Sequence, residues 1–194
     1  MPGMSEVSST GGAVTMLLAS VRAGDRQALD ELFPLVYEEL RRLAGHQVRS
    51  APGAMTLQAT GLVHEAYLKL VGGAGVDAVS RAHFVSIAGR AMRQVLVDRA
   101  RAKGTQKRGG DWSITTLHDG DATVDVDPAD MLALDQAIQE LDPRQRQIVE
   151  ARFFGGLEEG EIAGLLGVSE RTVRREWVKA RAWLFRALAP PEAP

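Results

Sequence analysis

Residues 157–188 read LEEGEIAGLLGVSERTVRREWVKARAWLFRAL, and this stretch predicts two helices joined by a tight turn. The small residue Ala163 is followed four positions later by Gly167. Apolar residues then occupy the fifth and tenth positions after Ala163, at Val168 and Val173. A small residue lets two helices cross closely, and glycine permits the turn between them, so this spacing is typical of a helix-turn-helix.

The second helix of this motif begins with a cluster of basic residues on the face opposite its apolar stripe. In a helix-turn-helix, side chains at the start of the second helix reach base edges in the major groove. An arginine that contacts guanine through two hydrogen bonds contributes about 1–3 kcal/mol of discrimination. The alternative is an amphipathic hairpin with a solvated basic face, but the spacing and the clustering together favour DNA binding. The predicted contacts are Ser169, Arg171, Thr172, Arg174, Arg175 and Lys179.

The composition favours an all-α protein made of two small helical domains. Of the 194 residues, 45% are hydrophobic but only 5% are aromatic, so aliphatic cores are expected. Apolar residues recur at helical spacing almost throughout the chain. The absence of cysteine excludes disulfides and cysteine metal sites, and it suits a cytoplasmic location. No apolar run is long enough to span a membrane, and the histidines lack metal-ligand spacing, so we expect no membrane association, metal or other cofactor.

Turn signals divide the chain into four segments. We predict a disordered tail over residues 1–12 and a four-helix domain over residues 13–103. Within that domain we expect a kink or a restart of the helix at Pro34. Residues 104–127 predict a flexible linker. Residues 128–189 predict a second helical domain, which contains the helix-turn-helix.

Charge is distributed unevenly along these segments. Residues 81–108 hold eight Lys or Arg against one acid, whereas residues 111–142 hold nine acids and no Lys or Arg. An aspartate followed by proline marks a helix start at Asp127 and again at Asp142. The predicted linker is therefore acidic and lies between two basic stretches.

Taken together, these features resemble the extracytoplasmic-function (ECF) group of sigma factors over about residues 14–188. The stretch LVHEAYLKL at residues 62–70 resembles the polymerase-binding helix of that group. Residues 84–103 resemble its promoter-melting and minus-ten-reading helix, and residues 162–188 resemble its minus-thirty-five-reading domain. The resemblance implies a sigma factor that binds core RNA polymerase and directs promoter-specific initiation.

The resemblance also implies partners and roles for individual residues. The first domain would dock on the β′ coiled coil of the polymerase, the second would meet the β flap, and both would contact promoter DNA. The loop after the third helix and the start of the fourth helix, at about residues 72–84, would capture a flipped base, and the basic face of the fourth helix would follow the separated strand. The implied polymerase contacts are Leu62, His64, Glu65 and Lys69. The implied minus-ten contacts are Arg81, His83, Phe84, Arg90, Arg93, Arg101 and Lys103. The acidic linker would be either a nucleic-acid mimic or a solvated spacer.

The sequence departs from the family pattern just before the polymerase-binding helix. Many members carry an acidic Asp-Ala-Glu-Asp stretch there, but this chain has Gln-Ala-Thr-Gly at residues 58–61. Phosphorylation of Thr60 by a Ser/Thr kinase would add a charge of about −1.5 to −2 at this place. Thr56 is the less favoured candidate for this phosphorylation. The alternative is that Thr60 only caps the third helix. An anti-sigma protein is another possible regulator.

A further departure lies in the second helix of the helix-turn-helix. Glu176 stands where the wider group has a basic residue. It could accept a hydrogen bond from cytosine or pair with Arg175 or Lys179 on its own helix, and we favour the intrahelical pair.

Two other functions compete with the sigma-factor interpretation. One is a helix-turn-helix regulator that acts without being a polymerase subunit. The other is a DNA recombinase, which the sequence disfavours because Tyr37 and Tyr67 lie in predicted helix stripes with no catalytic Arg/His set. We therefore predict no enzymatic activity.

Overall fold

The computed structural model describes residues 4–49, 58–73, 76–104 and 128–189, and all regular structure in these ranges is helical. The elements are α1 (Met4–Arg22), α2 (Gln27–Arg49), α3 (Ala59–Gly72), α4 (Arg81–Gly104), α5 (Pro128–Glu140), α6 (Pro143–Val149), a π-helical turn (Glu150–Phe154), α7 (Glu159–Leu166) and α8 (Glu170–Ala187). The all-α prediction is confirmed. We call α1–α4 the N-terminal half and α5–α8 the C-terminal half; the predicted linker lies outside the described residues, except for Gly104.

Helix α1 begins earlier than the sequence suggested. Residues 4–12 were expected in a disordered tail, but the helix starts at Met4. Buried Val14 and Leu18 hold its later turns in the core, and no proline stops it from extending backward. A glycine weakens a helix by only about 1 kcal/mol, so Gly12 does not end it. Residues 1–3 lie outside the described residues.

Helix α2 starts at a cap and runs through a proline. Gly24, with a φ of 95°, makes the turn from α1, and the Asp25 carboxylate accepts a hydrogen bond from the Gln27 amide at 2.9 Å. Of the two outcomes predicted at Pro34, a kink or a restart, the restart is wrong, because α2 is one helix across it. Pro34 is exposed, so the carbonyl that loses its bond there is not forced into the core.

Helix α4 lies at the centre of the molecule. The predicted stripe of Phe84, Ala88, Ala91 and Val95 is buried, as expected. Met92 and Leu96, which lie outside this stripe, are buried as well, and α4 contacts α5, the π-helical turn and α7 in addition to α2 and α3. The hydrophobic core therefore runs without a break from the N-terminal half into the C-terminal half.

The C-terminal half follows its sequence signals closely. Asp142 caps α6 by accepting from the Arg144 amide at 2.9 Å, and Pro143 takes the first helical position. Gly167 ends α7 in the left-handed conformation, with a φ of 63°. Leucine or valine would be strained there, so the glycine of the turn is required by geometry.

The two halves meet at an unusually close backbone crossing. A Cβ added to Gly89 of α4 would lie 2.4 Å from the carbonyl oxygen of Phe154. Gly155 takes part in the same crossing, since its added Cβ would lie 3.2 Å from the Cα of Ser86 on α4. The sequence analysis did not predict this contact. No helix in the described ranges is long and apolar enough to cross a membrane.

Candidate nucleic-acid and polymerase interfaces

The start of α8 presents basic side chains to solvent. Ser169 caps the helix, because its hydroxyl accepts from the Thr172 amide at 3.2 Å. Val173, Trp177, Ala180 and Leu184 form the buried stripe that the sequence predicted. The exposed members of the predicted contact set are Ser169, Arg171, Arg174, Arg175 and Lys179, and Thr172 is half-buried.

One of these arginines is held by an acid on the neighbouring helix. Arg174 donates from Nη2 to Glu159 Oε2 at 2.6 Å, and Glu159 also accepts from Arg152 at 3.1 Å. Hydrogen bonds from Arg174 and then Arg152 hold the pKa of Glu159 below its ordinary value. The guanidinium of Arg152 also stacks 4.9 Å from the ring centre of Trp177. These contacts tie the exposed face of α8 to the start of α7.

Glu176 faces the protein and not the solvent. Its carboxylate accepts from Gln145 at 3.1 Å, from Arg175 at 2.9 Å and from Lys179 at 3.2 Å. These hydrogen bonds, that of Gln145 foremost, lower the pKa of Glu176 to about 2. The favoured intrahelical pairing is confirmed, and Gln145 of α6 is an additional partner that the sequence did not indicate.

The first turn of α4 contains a residue whose predicted role needs correction. Phe84 was expected to contact single-stranded DNA, but its side chain is fully buried in the core. Arg81 is exposed and pairs with Glu39 at 2.7 Å. His83 is half-buried, and its Nδ1 accepts from the Val79 amide at 3.3 Å. Burial is the main cause that lowers the pKa of His83.

The predicted role of Arg93 also needs correction. It was expected on an exposed basic face of α4, yet only 2% of its side chain is exposed. Its Nη1 lies 2.8 Å from Asp135 of α5, and its Nη2 lies 2.8 Å from Glu150 of the π-helical turn. Burial lowers the pKa of Arg93, and the two carboxylates oppose that shift. The error arose because the C-terminal half covers this face of α4.

The other basic residues on this face of α4 contact the same two acids. Arg90 lies 3.9 Å from Glu150 and Arg101 lies 3.4 Å from Asp135, and both arginines remain exposed. The side chain of Lys103 lies outside the described residues. The C-terminal half thus supplies carboxylates to Arg90, Arg93 and Arg101, whereas Arg81 pairs with Glu39 of α2.

The predicted polymerase-binding face lies on α3. Leu62 is fully buried, so it supports this face from the core and does not form part of the surface. His64 is exposed, Glu65 pairs with Arg99, and Lys69 lies 2.6 Å from Asp98. Leu68 was not predicted, although it is 55% exposed. Its position four residues after His64 was the available signal, since such residues share a helix face.

Thr60 is exposed in the first turn of α3. The residue at the N-cap is Gln58, whose side chain makes no capping hydrogen bond. The alternative role of Thr60 as the helix cap is therefore wrong. Thr56 lies outside the described residues.

Among the described residues, no cluster of His, Cys, Asp and Glu has the geometry to hold a metal ion.

Comparisons with known proteins identify the family. Residues 11–190 match the family described as ECF sigma factor. The chain is also 32% identical over 175 residues to the ECF RNA polymerase sigma factor SigM of Mycobacterium tuberculosis, in strains Erdman and H37Rv; the alignment covers 89% of this chain and 83% of SigM. The chain belongs to the ECF sigma factor family. ECF sigma factors bind RNA polymerase in transcription initiation.

A solved structure of CnrH in complex with the cytosolic domain of CnrY also aligns with this sigma factor. The identity is 20%, and the alignment covers 91% of this chain and 97% of CnrH. The TM-score is 0.38.

Other residues that the sequence analysis of this sigma factor missed lie between the halves. Asp135 and Glu150 had no predicted role, and Gln47 of α2 was not singled out. Gln47 Nε2 donates to the carbonyl of Phe154 at 2.9 Å and to that of Gly89 at 3.2 Å. Of the residues in this contact, only Gly89 could have been recognised from the sequence, since a glycine inside a helical pattern can mark a place where another backbone approaches closely.

Proposed function

We propose that this sigma factor directs core RNA polymerase to promoters by reading two DNA elements, one with each half. The observation that carries this proposal is the capped start of α8, where Arg171, Arg174 and Arg175 are exposed beside a rigidly packed core stripe. A fixed helix that presents arginines at its N-terminal end suits base contacts in the major groove. The C-terminal half would therefore read the minus-thirty-five element.

The N-terminal half, which contains the domain predicted over residues 13–103, would bind the minus-ten element as a single strand. Arg81, Arg90 and Arg101 are exposed on α4, and a basic surface can follow a phosphate backbone. His83 and Lys103 belong to the same proposed surface. Phe84 is left out because it is buried.

The exposed face of α3 would dock on the β′ coiled coil of the polymerase. His64, Leu68 and Lys69 are exposed there, with half-buried Glu65 beside them. The C-terminal half, proposed as residues 128–189, offers an open groove to the β flap. Exposed Val178 and Phe185 line this groove together with Arg181 and Arg186. Because the proposed partner is the polymerase, we place the protein in the cytoplasm.

Phosphorylation of Thr60 by a Ser/Thr kinase would regulate the α3 face. Thr60 is exposed, and it lies in the first turn of α3, where the helix dipole favours negative charge. The first turn of α3 contains no acidic residue. A phosphate there would supply the charge that the family pattern places before this helix. An anti-sigma protein that masks the polymerase-binding face would be an alternative form of control.

In vitro transcription tests this function. Core polymerase, the full-length chain and sheared genomic DNA from the organism that encodes it are incubated together, and RNA 5′ ends are sequenced. We expect start sites preceded by two shared elements at a fixed spacing. A helix-turn-helix regulator that is not a polymerase subunit gives no such start sites beyond those made by core polymerase alone.

A further inference from the structure

We propose that Glu159 of α7 is a positioning residue for DNA recognition, which holds Arg174 of α8 by one edge of its guanidinium and leaves the other edge to read a guanine. This inference rests on the proposed function, because it assumes that α8 enters the major groove. It adds that base preference depends on a residue outside the helix that enters the groove. It also adds that one base of the element read by α8 is a guanine.

The contact between the two side chains uses one edge of the guanidinium. Arg174 donates from Nε and from Nη2 to Glu159 Oε2, at 3.1 Å and 2.6 Å. These two nitrogens form the side edge of the planar group. The end edge consists of Nη1 and the second hydrogen of Nη2, and it makes no hydrogen bond to the described part of the chain. A guanine is read by two donors of one edge, which contact its O6 and N7, so Arg174 can contact Glu159 and a base at the same time.

Glu159 is itself fixed by the packed interior of the C-terminal half. It is the first residue of α7, where the helix dipole favours a negative charge. It accepts from Arg152 Nη1 at 3.1 Å, and the guanidinium of Arg152 lies 4.9 Å from the ring centre of buried Trp177. Only 22% of the Glu159 side chain is exposed, against 64% for Arg174. The acid therefore belongs to the packed structure, while the arginine that it holds still faces solvent.

The negative charge of Glu159 is maintained and is also compensated. Hydrogen bonds from Arg174 and then Arg152 hold the pKa of Glu159 below its ordinary value, so the carboxylate is ionised at neutral pH. An unpaired acid at this surface would repel the phosphates of DNA, but here two guanidinium groups contact it. The acid orders Arg174 before DNA arrives, and an arginine already held in one rotamer loses less conformational entropy on binding.

The other basic residues at the start of α8 are held differently. Arg171 is exposed, and no ion pair within the described ranges holds it. Arg175 donates one nitrogen, Nε, to Glu176, which also accepts from Lys179. Among the described basic residues of this surface, Arg174 alone has two donors of one edge bound by one carboxylate. Its geometry is therefore set before binding for a contact of two hydrogen bonds with a base.

Three substitutions separate this positioning role from a general effect of charge. Glu159→Ala removes the carboxylate that holds Arg174. Because it also removes an acid from a surface that faces DNA, charge alone would predict tighter binding. Arg174→Ala removes the proposed reader. Glu170→Ala is the matched control, because Glu170 is an exposed acid in the first turn of α8 and makes no hydrogen bond to Arg174.

The experiment selects DNA duplexes with a randomised central segment on each full-length variant and sequences those that bind. Fluorescence anisotropy then gives the Kd for the duplex that the wild type selects and for an unrelated duplex of equal length. It also gives the Kd for copies in which each guanine–cytosine pair is replaced in turn by adenine–thymine. The guanine preference is the ratio of the Kd for a replaced copy to that for the selected duplex.

We expect the wild type to prefer guanine at one position by about fivefold or more, as a contact of two hydrogen bonds from arginine does. Arg174→Ala should abolish this preference. Glu159→Ala should lower it by about twofold to tenfold because it releases the side chain of Arg174, while the Kd for the unrelated duplex stays equal or falls. The double variant of Glu159→Ala with Arg174→Ala should equal Arg174→Ala alone, and Glu170→Ala should keep the wild-type preference.

Three outcomes would overturn the proposal. They are a wild-type element in which no guanine preference depends on Arg174, an unchanged preference in Glu159→Ala, and an equal loss of preference in Glu170→Ala. If circular dichroism shows that Glu159→Ala is unfolded, Glu159→Gln decides in its place, because its uncharged amide has one acceptor oxygen for two arginines. Failure of the proposed function is distinguishable, since the selection contains no polymerase and that failure appears as an absence of promoter-specific transcripts.

Discussion

Arg93 on α4 and Glu150 in the π-helical turn form a buried ion pair between the two halves, with Nη2 2.8 Å from Oε1. The two residues are separated by 57 positions in the chain. The guanidinium also lies 5.2 Å from the ring centre of Phe154 and bonds to Asp135. One side chain of the N-terminal half therefore connects it to two elements of the C-terminal half.

Replacing Arg93 by alanine should destabilise the contact between the halves. The change leaves Asp135 and Glu150 without their buried partner, and breaking a buried pair costs about 3–5 kcal/mol. We expect urea unfolding to show a separate early transition for the C-terminal half. Arg99→Ala is the control, since Arg99 is on the same helix but its pair with Glu65 is half-exposed. Its effect should stay below about 1 kcal/mol. Equal effects of the two substitutions would contradict this reading of Arg93.

Glu176 should make the stability of the fold depend on pH in the acid range. Its pKa in the folded chain is about 2, below its ordinary value of 4.5. The ionised carboxylate therefore stabilises the folded state above pH 5, and this stabilisation is lost as the pH falls from about 5 to 2. Glu176→Gln should lower the unfolding free energy at pH 7 by about 1–2 kcal/mol, because bonds to a charged acceptor are stronger.

The measurement for Glu176 is urea unfolding at a series of pH values. The difference between wild type and Glu176→Gln should shrink toward zero near pH 2. Glu140→Gln, at an exposed position of α5, is the control and should follow the wild type throughout. A difference that is the same at pH 7 and pH 2 would rule out the carboxylate charge as its source.

Arg171→Ala should weaken recognition of duplex promoter DNA. Arg171 is exposed in the first turn of α8, where a base contact contributes about 1–3 kcal/mol, or roughly fivefold to 150-fold in Kd. Arg186→Ala is the matched control, because Arg186 is in the last turn of the same helix, about 22 Å away along the axis. Anisotropy measurements on a duplex with the minus-thirty-five element would report both affinities. A similar loss in both variants would indicate general charge attraction and not base recognition.

Thr60→Glu should bind core polymerase more tightly than wild type, whereas Thr60→Ala should match the unphosphorylated wild type. The added charge lies at the start of α3, beside the proposed polymerase-binding face. Gln136→Glu adds the same charge at an exposed position of α5 and should have no effect. Binding is measured by surface plasmon resonance with immobilised core polymerase. Equal binding of Thr60→Glu, Thr60→Ala and wild type would exclude the switch.

The sequence predicted the helix-turn-helix well because its determinants are local. The spacing from Ala163 to Gly167 and the cap at Ser169 act within a few residues, and the structure has each where expected. The signal that starts α6, a capping Asp142 followed by Pro143, also acts within neighbouring residues.

The contact between the halves could not be predicted in the same way. Arg93 belongs to a helix with apolar residues on nearly every side, and Met92 and Leu96 are buried outside the predicted stripe. A helix that is apolar all round is usually buried all round. That pattern could have warned that Arg93 was covered, but the partners Asp135 and Glu150 depend on long-range packing that no local spacing encodes.

Run-off transcription from a single identified promoter tests the central claim most directly. The reactions contain core polymerase alone or with wild type, Arg171→Ala or Arg144→Ala, where Arg144 is exposed in α6 and belongs to none of the proposed surfaces. We predict a transcript that requires the chain, falls about fivefold or more with Arg171→Ala, and persists with Arg144→Ala. A transcript of equal yield with core polymerase alone, or one that wild-type protein only represses, would contradict the assignment of this chain as a promoter-reading polymerase subunit.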